Sequence, residues 1–101
     1  MLGLFIVRTA EPHPETLLGR VEGELYLLAF SNAPRAAACM NALGASGAPF
    51  YVCGANLEGL LREVRASGVR GFIVDYDAAR NSFTSAHGLP SAQPVAVSSD
   101  R

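Results

Sequence analysis

The chain has 101 residues, half of them apolar and only 17% charged, with a formal net charge of −1 at pH 7. That length supports one core and excludes a second domain, and the scattered cations exclude an electrostatic footprint for nucleic acid. Against roughly 25% charged residues in an average globular protein, so low a fraction predicts apolar surface left over after folding, and with it an oligomer or a docking site.

All eight cations are Arg, which reads as the codon bias of a GC-rich bacterial genome. The N-terminal MLGLFIVRT has an apolar run without a basic leader or a small-residue cleavage site, so it reads as a strand and not a signal. The apolar runs fall short of the roughly 18 to 20 residues that span a bilayer. The expectation is a soluble, cytoplasmic protein without membrane or nucleic-acid partners.

The first strand is expected over Leu2 to Arg8, with Leu2, Leu4 and Ile6 on one side and Phe5 and Val7 on the other. Residues 9–23, with Pro12, Pro14, Gly19 and Gly23, then read as a long loop with one helical turn near Glu15 to Leu18. Glu24 to Phe30 is the second strand, with Leu25, Leu27 and Ala29 facing one way and Tyr26, Leu28 and Phe30 the other. Apolar side chains on both faces mark an interior strand.

Ser31, or Asn32 one register later, is placed to cap a helix whose first turn tolerates Pro34. That helix should run to about Leu43, with Ala36, Ala37, Met40 and Leu43 inward, and stop at Gly44. The stretch from Gly47 to Asp77 reads as strand, helix, strand. Phe50 to Cys53 and Gly71 to Tyr76 are the strands, and a crossover of this length makes them parallel. Between them Leu57, Leu60, Leu61 and Val64 recur at i, i+3, i+4 and i+7, the core stripe of an amphipathic helix. Asn56 reads as its N-cap, Glu58 and Arg62 as an exposed pair, and Gly68 with Val69 as a Schellman ending on Val64. After Asp77 the chain turns small and polar. Short strands are expected at Ser82 to Ser85 and Val95 to Val97, and a disordered tail over 98–101.

These elements define an α/β (α+β) fold, one small domain over residues 1–101 in the order β-β-α-β-α-β. The expected sheet is mixed and four- to five-stranded, with both helices on one face. Two helices cannot cover two faces, so the opposite face is left to a second copy or a docked protein.

Few residues offer chemistry. Cys39 and Cys53 lack CxxC spacing and a neighbouring His, and both read as small buried apolar residues. Asp75 and Asp77 flank Tyr76 at a strand end, a placement shared by some metal and general-acid pairs, but a third ligand is missing. His13 and His87 fall in Pro- or Gly-containing loops with no acid to pair with. Ser82, Thr84 and Ser85 lack the GxSxG of a nucleophile elbow. No glycine pattern matches a nucleotide loop, so no cofactor is expected.

From Leu25 to Asp77 the pattern resembles the N-terminal domain of SseB-like proteins, a bacterial family named after a type III secretion protein. The resemblance rests on an apolar strand ending in Phe30 and Ser31 before an Ala-rich helix, a middle strand, a Leu-rich helix at Leu57 to Val64, and Gly68, Val69 and Gly71 before an apolar strand. Where that family reads Asn-Pro-Gly, this chain reads Asp75, Tyr76, Asp77. The resemblance covers about half of the chain. It implies a small α/β domain without catalytic residues, associated with regulation, protein contacts or a secretion apparatus, and it supplies no site residues.

The functional expectation is a non-enzymatic interaction or regulatory module, acting as a homodimer or on a protein partner through Phe5, Val7, Tyr26, Leu28 and Phe30 on the uncovered sheet face. The alternative is a small enzyme or ligand-binding domain working at the strand ends around Cys53, Gly54, Asp75 and Asp77.

Overall fold

A computed structural model describes residues 2–9 and 15–89. The expected strand at Val95 to Val97 and the expected tail at 98–101 lie outside the described residues, as do positions 10–14 of the expected loop. In chain order the elements are β1 (Phe5–Thr9), β2 (Leu18–Val21), β3 (Glu24–Ala29), α1 (Ala33–Ala42), β4 (Gly47–Tyr51), α2 (Gly54–Ala66), β5 (Gly71–Val74) and β6 (Ser85–Gly88). The α/β class expected from the sequence is the class observed.

β2, β3, β5 and β6 form one sheet in that order, and β1 pairs with β4 in a second. β1 joins the two sheets, through Leu17 N–H on the Val7 carbonyl at 2.9 Å just before β2 and through a reciprocal pair at the end of β3. Phe5 N–H donates to the Phe30 carbonyl and Phe30 N–H to the Phe5 carbonyl, both at 2.7 Å. β1 is therefore antiparallel to β3 as well as to β4. β4 consequently runs parallel to β3, which is parallel to β5. The strands of the Gly47–Asp77 unit do run the same way, but β1 and β3 lie between them.

That strand order corrects the expectation of two helices on one face. β3 leads through α1 outward to β4, and β4 leads through α2 back across β1 and β3 to β5. Two right-handed crossovers that travel in opposite directions must lie on opposite faces of a sheet. The core is divided accordingly. Ile6, Leu27, Ala29, Val52 and Phe72 pack with Leu60 and Val64 of α2. Val7, Leu28, Phe30 and Ile73 pack with Ala36 and Cys39 of α1. Each interior strand is apolar on both sides because each side has its own helix.

The region expected as a long loop contains β2. Its hairpin with β3 turns through two residues, Glu22 and Gly23, with Val21 paired to Glu24. Both turn residues have positive φ, 53° and 84°, the geometry whose twist matches flanking strands. Glu is an unusual occupant of that conformation, so the sequence carried no Asn-Gly signal. Gly19 lets β2 lie close over the core: a Cβ there would come 2.9 Å from Leu28 Cδ2.

The helix ends follow local chemistry. Asn32 caps α1, its side chain accepting from Arg35 N–H at 2.9 Å. Gly44, with φ of 71°, closes the helix, its N–H donating to the Asn41 carbonyl and Ala45 N–H to that of Met40. Leu43, expected inward, is exposed. The N-cap of α2 is Cys53 and not Asn56. Asn56 sits three residues in, where its Oδ1 accepts from Cys53 N–H and its Nδ2 donates to the Tyr51 carbonyl, both at 3.0 Å. Gly68 and Val69 make the expected Schellman ending, with Val69 N–H on the Val64 carbonyl at 3.2 Å.

One polar cluster ties α2 to β1. Arg8 Nη1 donates to both Glu63 oxygens at 2.8 Å and to Thr16 Oγ1 at 2.6 Å, and Thr16 Oγ1 donates to Glu63 Oε2 at 3.1 Å. Burial alone would raise the Glu63 pKa. The hydrogen bonds from Arg8 and Thr16 and the Arg8 charge outweigh it and hold the carboxyl below its usual 4.5. A carboxylate stabilised in this way contributes above its unfolded pKa and loses its contribution as pH falls through the folded one. Glu63→Gln should therefore lower stability by about 1 kcal/mol at pH 7, no more than a half-exposed ion pair supports, and the difference should shrink as pH falls below 4.5 and through the lowered folded pKa. Urea unfolding across a pH series measures it.

Candidate interaction surface and strand-end groove

The five residues expected at an interface belong to the layer beneath α1. Val7 and Phe30 are 0% exposed and Leu28 is 1%. Phe5 and Tyr26 are half-buried against the same cluster. They form core, and this corrects their assignment to an open face: once α1 and α2 take opposite sides, the sheet has no uncovered side over β1, β3 and β5.

Among the described residues Leu43, after α1, and Phe83, before β6, are exposed large apolar side chains, and the other three lie at the margin of β4. Phe50 is 40% exposed, Tyr51 51% and Leu2 59%. Register places Tyr51 opposite Phe5 and Phe50 opposite Ile6, so the two aromatics flank the strand on its two sides. The Tyr51 ring packs on Phe5 at 5.1 Å between centroids. Phe50 forms one wall of a groove of about 420 Å³ against α2, with Ala55, Gly59 and Leu60 opposite.

The outer side of β4 is guarded against strand addition. Val52 N–H donates to the Leu4 carbonyl, and the alternation of an antiparallel ladder then turns the main-chain groups of Gly47, Pro49 and Tyr51 outward. Pro49 has no N–H, and the Tyr51 carbonyl is taken by Asn56. A partner at this margin is met by side chains and not by backbone. The sequence signal that could have found the surface was Pro49 beside Phe50 and Tyr51, because proline in a strand is confined to edges.

The strand-end groove lies between α1 and the turn after β5. Its volume is about 330 Å³, and Arg35, Cys39, Asp75, Tyr76 and Asp77 line it together with small alanines. Asp75 holds a left-handed φ of 58°. Its carboxylate accepts from Ser31 N–H at 2.8 Å and from Ser31 Oγ at 2.9 Å, clasping the start of α1 to the end of β5. Asp77 accepts from Ala79 N–H at 3.0 Å and lies 3.8 Å from Arg80 Nε. Both carboxylates are thus engaged in holding local structure. Cys53 does not join them: it stands at the end of β4, with β1 and β3 between it and β5, and it is Cys39 that lines the groove. Burial and, behind it, the Asp77 charge push the Cys39 thiol pKa up, so it stays protonated and a poor nucleophile at neutral pH.

His87, expected in a loop, is on β6, where its ring stacks on Phe72 at 4.9 Å and Nε2 lies 2.9 Å from Ser85 Oγ. No acidic group completes the pair among the hydrogen bonds of the described residues. His13 lies outside the described residues. Among the described residues no three His, Cys, Asp or Glu side chains converge as a metal site. None of their helices is long and apolar enough to cross a membrane.

Fold and surface together define a small α/β domain with a doubly covered sheet and an aromatic margin. Comparison with protein-family models, with curated proteins and with solved structures finds no match.

Proposed function

We propose that the chain is a non-enzymatic protein-interaction module that docks an apolar partner segment on the β4 margin, through Phe50, Tyr51 and Leu2. The observation that carries this reading is the exposure of two aromatic side chains on an outermost strand whose backbone is guarded. Tyr and Phe concentrate at interface centres because they bury large area at small entropic cost. The strand-end alternative is weaker, because both of its carboxylates already have protein donors and its thiol is held protonated.

The test is a photo-crosslinking amino acid placed at position 51 in the native host, with exposed position 58 as the control. A discrete protein adduct at 51, absent at 58 and lost on Phe50→Ser, is the expected result. Phe50→Ser should leave the circular dichroism spectrum unchanged and shift stability by under about 1 kcal/mol, as surface substitutions do. Adducts no different from those at 58 would remove the proposal. A melting-point rise with a small metabolite or metal, unaffected by Phe50→Ser, would favour the strand-end groove instead.

A further inference from the structure

The two outer edges of the sheet are treated differently. β4 is guarded by Pro49 and Asn56, whereas β6 carries Ser85, Ala86, His87 and Gly88, with no proline and no formal charge at pH 7. Edge strands are normally protected by such residues, because a row of free N–H and C=O groups is a template for another strand.

The bonding phase of β6 shows which groups are free. Asp75 N–H donates to the Ala29 carbonyl, so Gly71, Ile73 and Asp75 turn their main-chain groups toward β3, and Phe72 and Val74 turn theirs toward β6. Their partners in register are His87 and Ser85. The His87 carbonyl presses against Gly71 so closely that a Cβ there would collide with it, which confirms that it points inward. Ala86 and Gly88 therefore direct N–H and C=O outward, and among the described residues nothing pairs with them.

We propose that β6 pairs antiparallel with β6 of a second copy, joining two sheets into one across a two-fold axis. Ala86 of one copy exchanges two main-chain hydrogen bonds with Gly88 of the other, and the symmetry repeats the exchange, making four. A self-complementary strand meets the isologous requirement of a two-fold interface. The second copy is favoured over a peptide from solution on entropy. An unstructured segment loses backbone freedom at every residue it orders, whereas β6 is already held extended by β5. Ala86 and Gly88 leave room on the α1 side, where a Cβ at Gly88 would meet nothing within 4 Å. With a net charge of only −1 per chain, the copies have little to repel them. In such a dimer the two β4 margins stand at opposite ends of the continuous sheet. The pairing does not depend on what β4 binds.

Two four-residue strands bury less than the roughly 1,200 Å² of a stable interface, so the dimer is weak and reversible. Light scattering on the full chain from about 10 µM to about 1 mM should show the mass climbing from one chain toward two, since a dimer bound by about 4 kcal/mol is half formed near the upper limit. Ala86→Pro removes an outward N–H where an edge tolerates proline, and should abolish the rise. Ala86→Lys should do so by charge if proline disturbs β6. Exchange of the Ala86 and Gly88 amides should slow by about twofold between the two limits, because only about half of the chains are paired at the upper one. A mass fixed at one chain overturns the proposal. So does a rise that survives both substitutions, and so does exchange that is slow in the monomer, which would mean that the chain covers this edge itself.

Discussion

Phe30→Ala should destabilise the domain by about 3–5 kcal/mol, the range for truncating a fully buried aromatic side chain. The ring is 0% exposed and packs with Val7, Leu28 and Ile73 beneath Ala36 and Cys39 of α1. Its backbone makes the two bonds that join β1 to β3, so a cavity here loosens the seam between the sheets as well as the layer under α1. For a domain of this size, with total stability of about 5–15 kcal/mol, the melting temperature should fall by on the order of 20 °C. Thermal and urea unfolding measure this directly. An interface residue would behave in the opposite way, losing association while the monomer kept its melting point, and that result would restore Phe30 to a docking surface.

Gly71→Ala is the second substitution of large expected effect, and its cause is contact and not conformation. The added Cβ would collide with the His87 carbonyl oxygen and come within 3.2 Å of the Gly88 Cα. These are backbone atoms of the neighbouring strand, which cannot rotate aside as a side chain can. β6 must move off β5, at a cost of about 2–4 kcal/mol when the pairing and the Phe72–His87 stack are both disturbed. Amide exchange should localise the damage, with Ile73 protection from β3 retained and His87 protection lost. Unchanged stability would mean that β6 contributes little to the fold. Because the β6 edge would be displaced, the same substitution should also weaken self-association at high concentration.

Much of the local structure was legible. The Leu57–Val64 stripe, the Gly68–Val69 ending, the Pro34 position and the Gly44 stop each depend on a few consecutive residues, and each stands close to where the sequence placed it. The misses have a common form. β2 was hidden because its turn uses Glu22 in a conformation normally signalled by Asn or Gly. The interface set was misplaced because alternation along β1 and β3 shows that both faces are apolar without showing what covers either. Phe50 and Tyr51 were read only as part of a strand: the local sign that β4 sits last in its sheet is Pro49 beside them, and it does not say which strand lies next to β4. Asp75 and Cys53 were grouped as strand-end residues, which both are, but the strands they end lie apart.

What the sequence by itself determined is the set of elements, their approximate limits and their apolar faces, because helix period, strand alternation and capping act over four or five residues. Only the tertiary structure decided that α1 and α2 lie on opposite faces, that Phe30 is core and Phe50 is not, and that β6 has an edge unpaired among the described residues. Those outcomes follow from the order in which β4, β1, β3, β5 and β6 lie side by side. Strand order is set by pairings between residues far apart in the chain, and no local pattern encodes it.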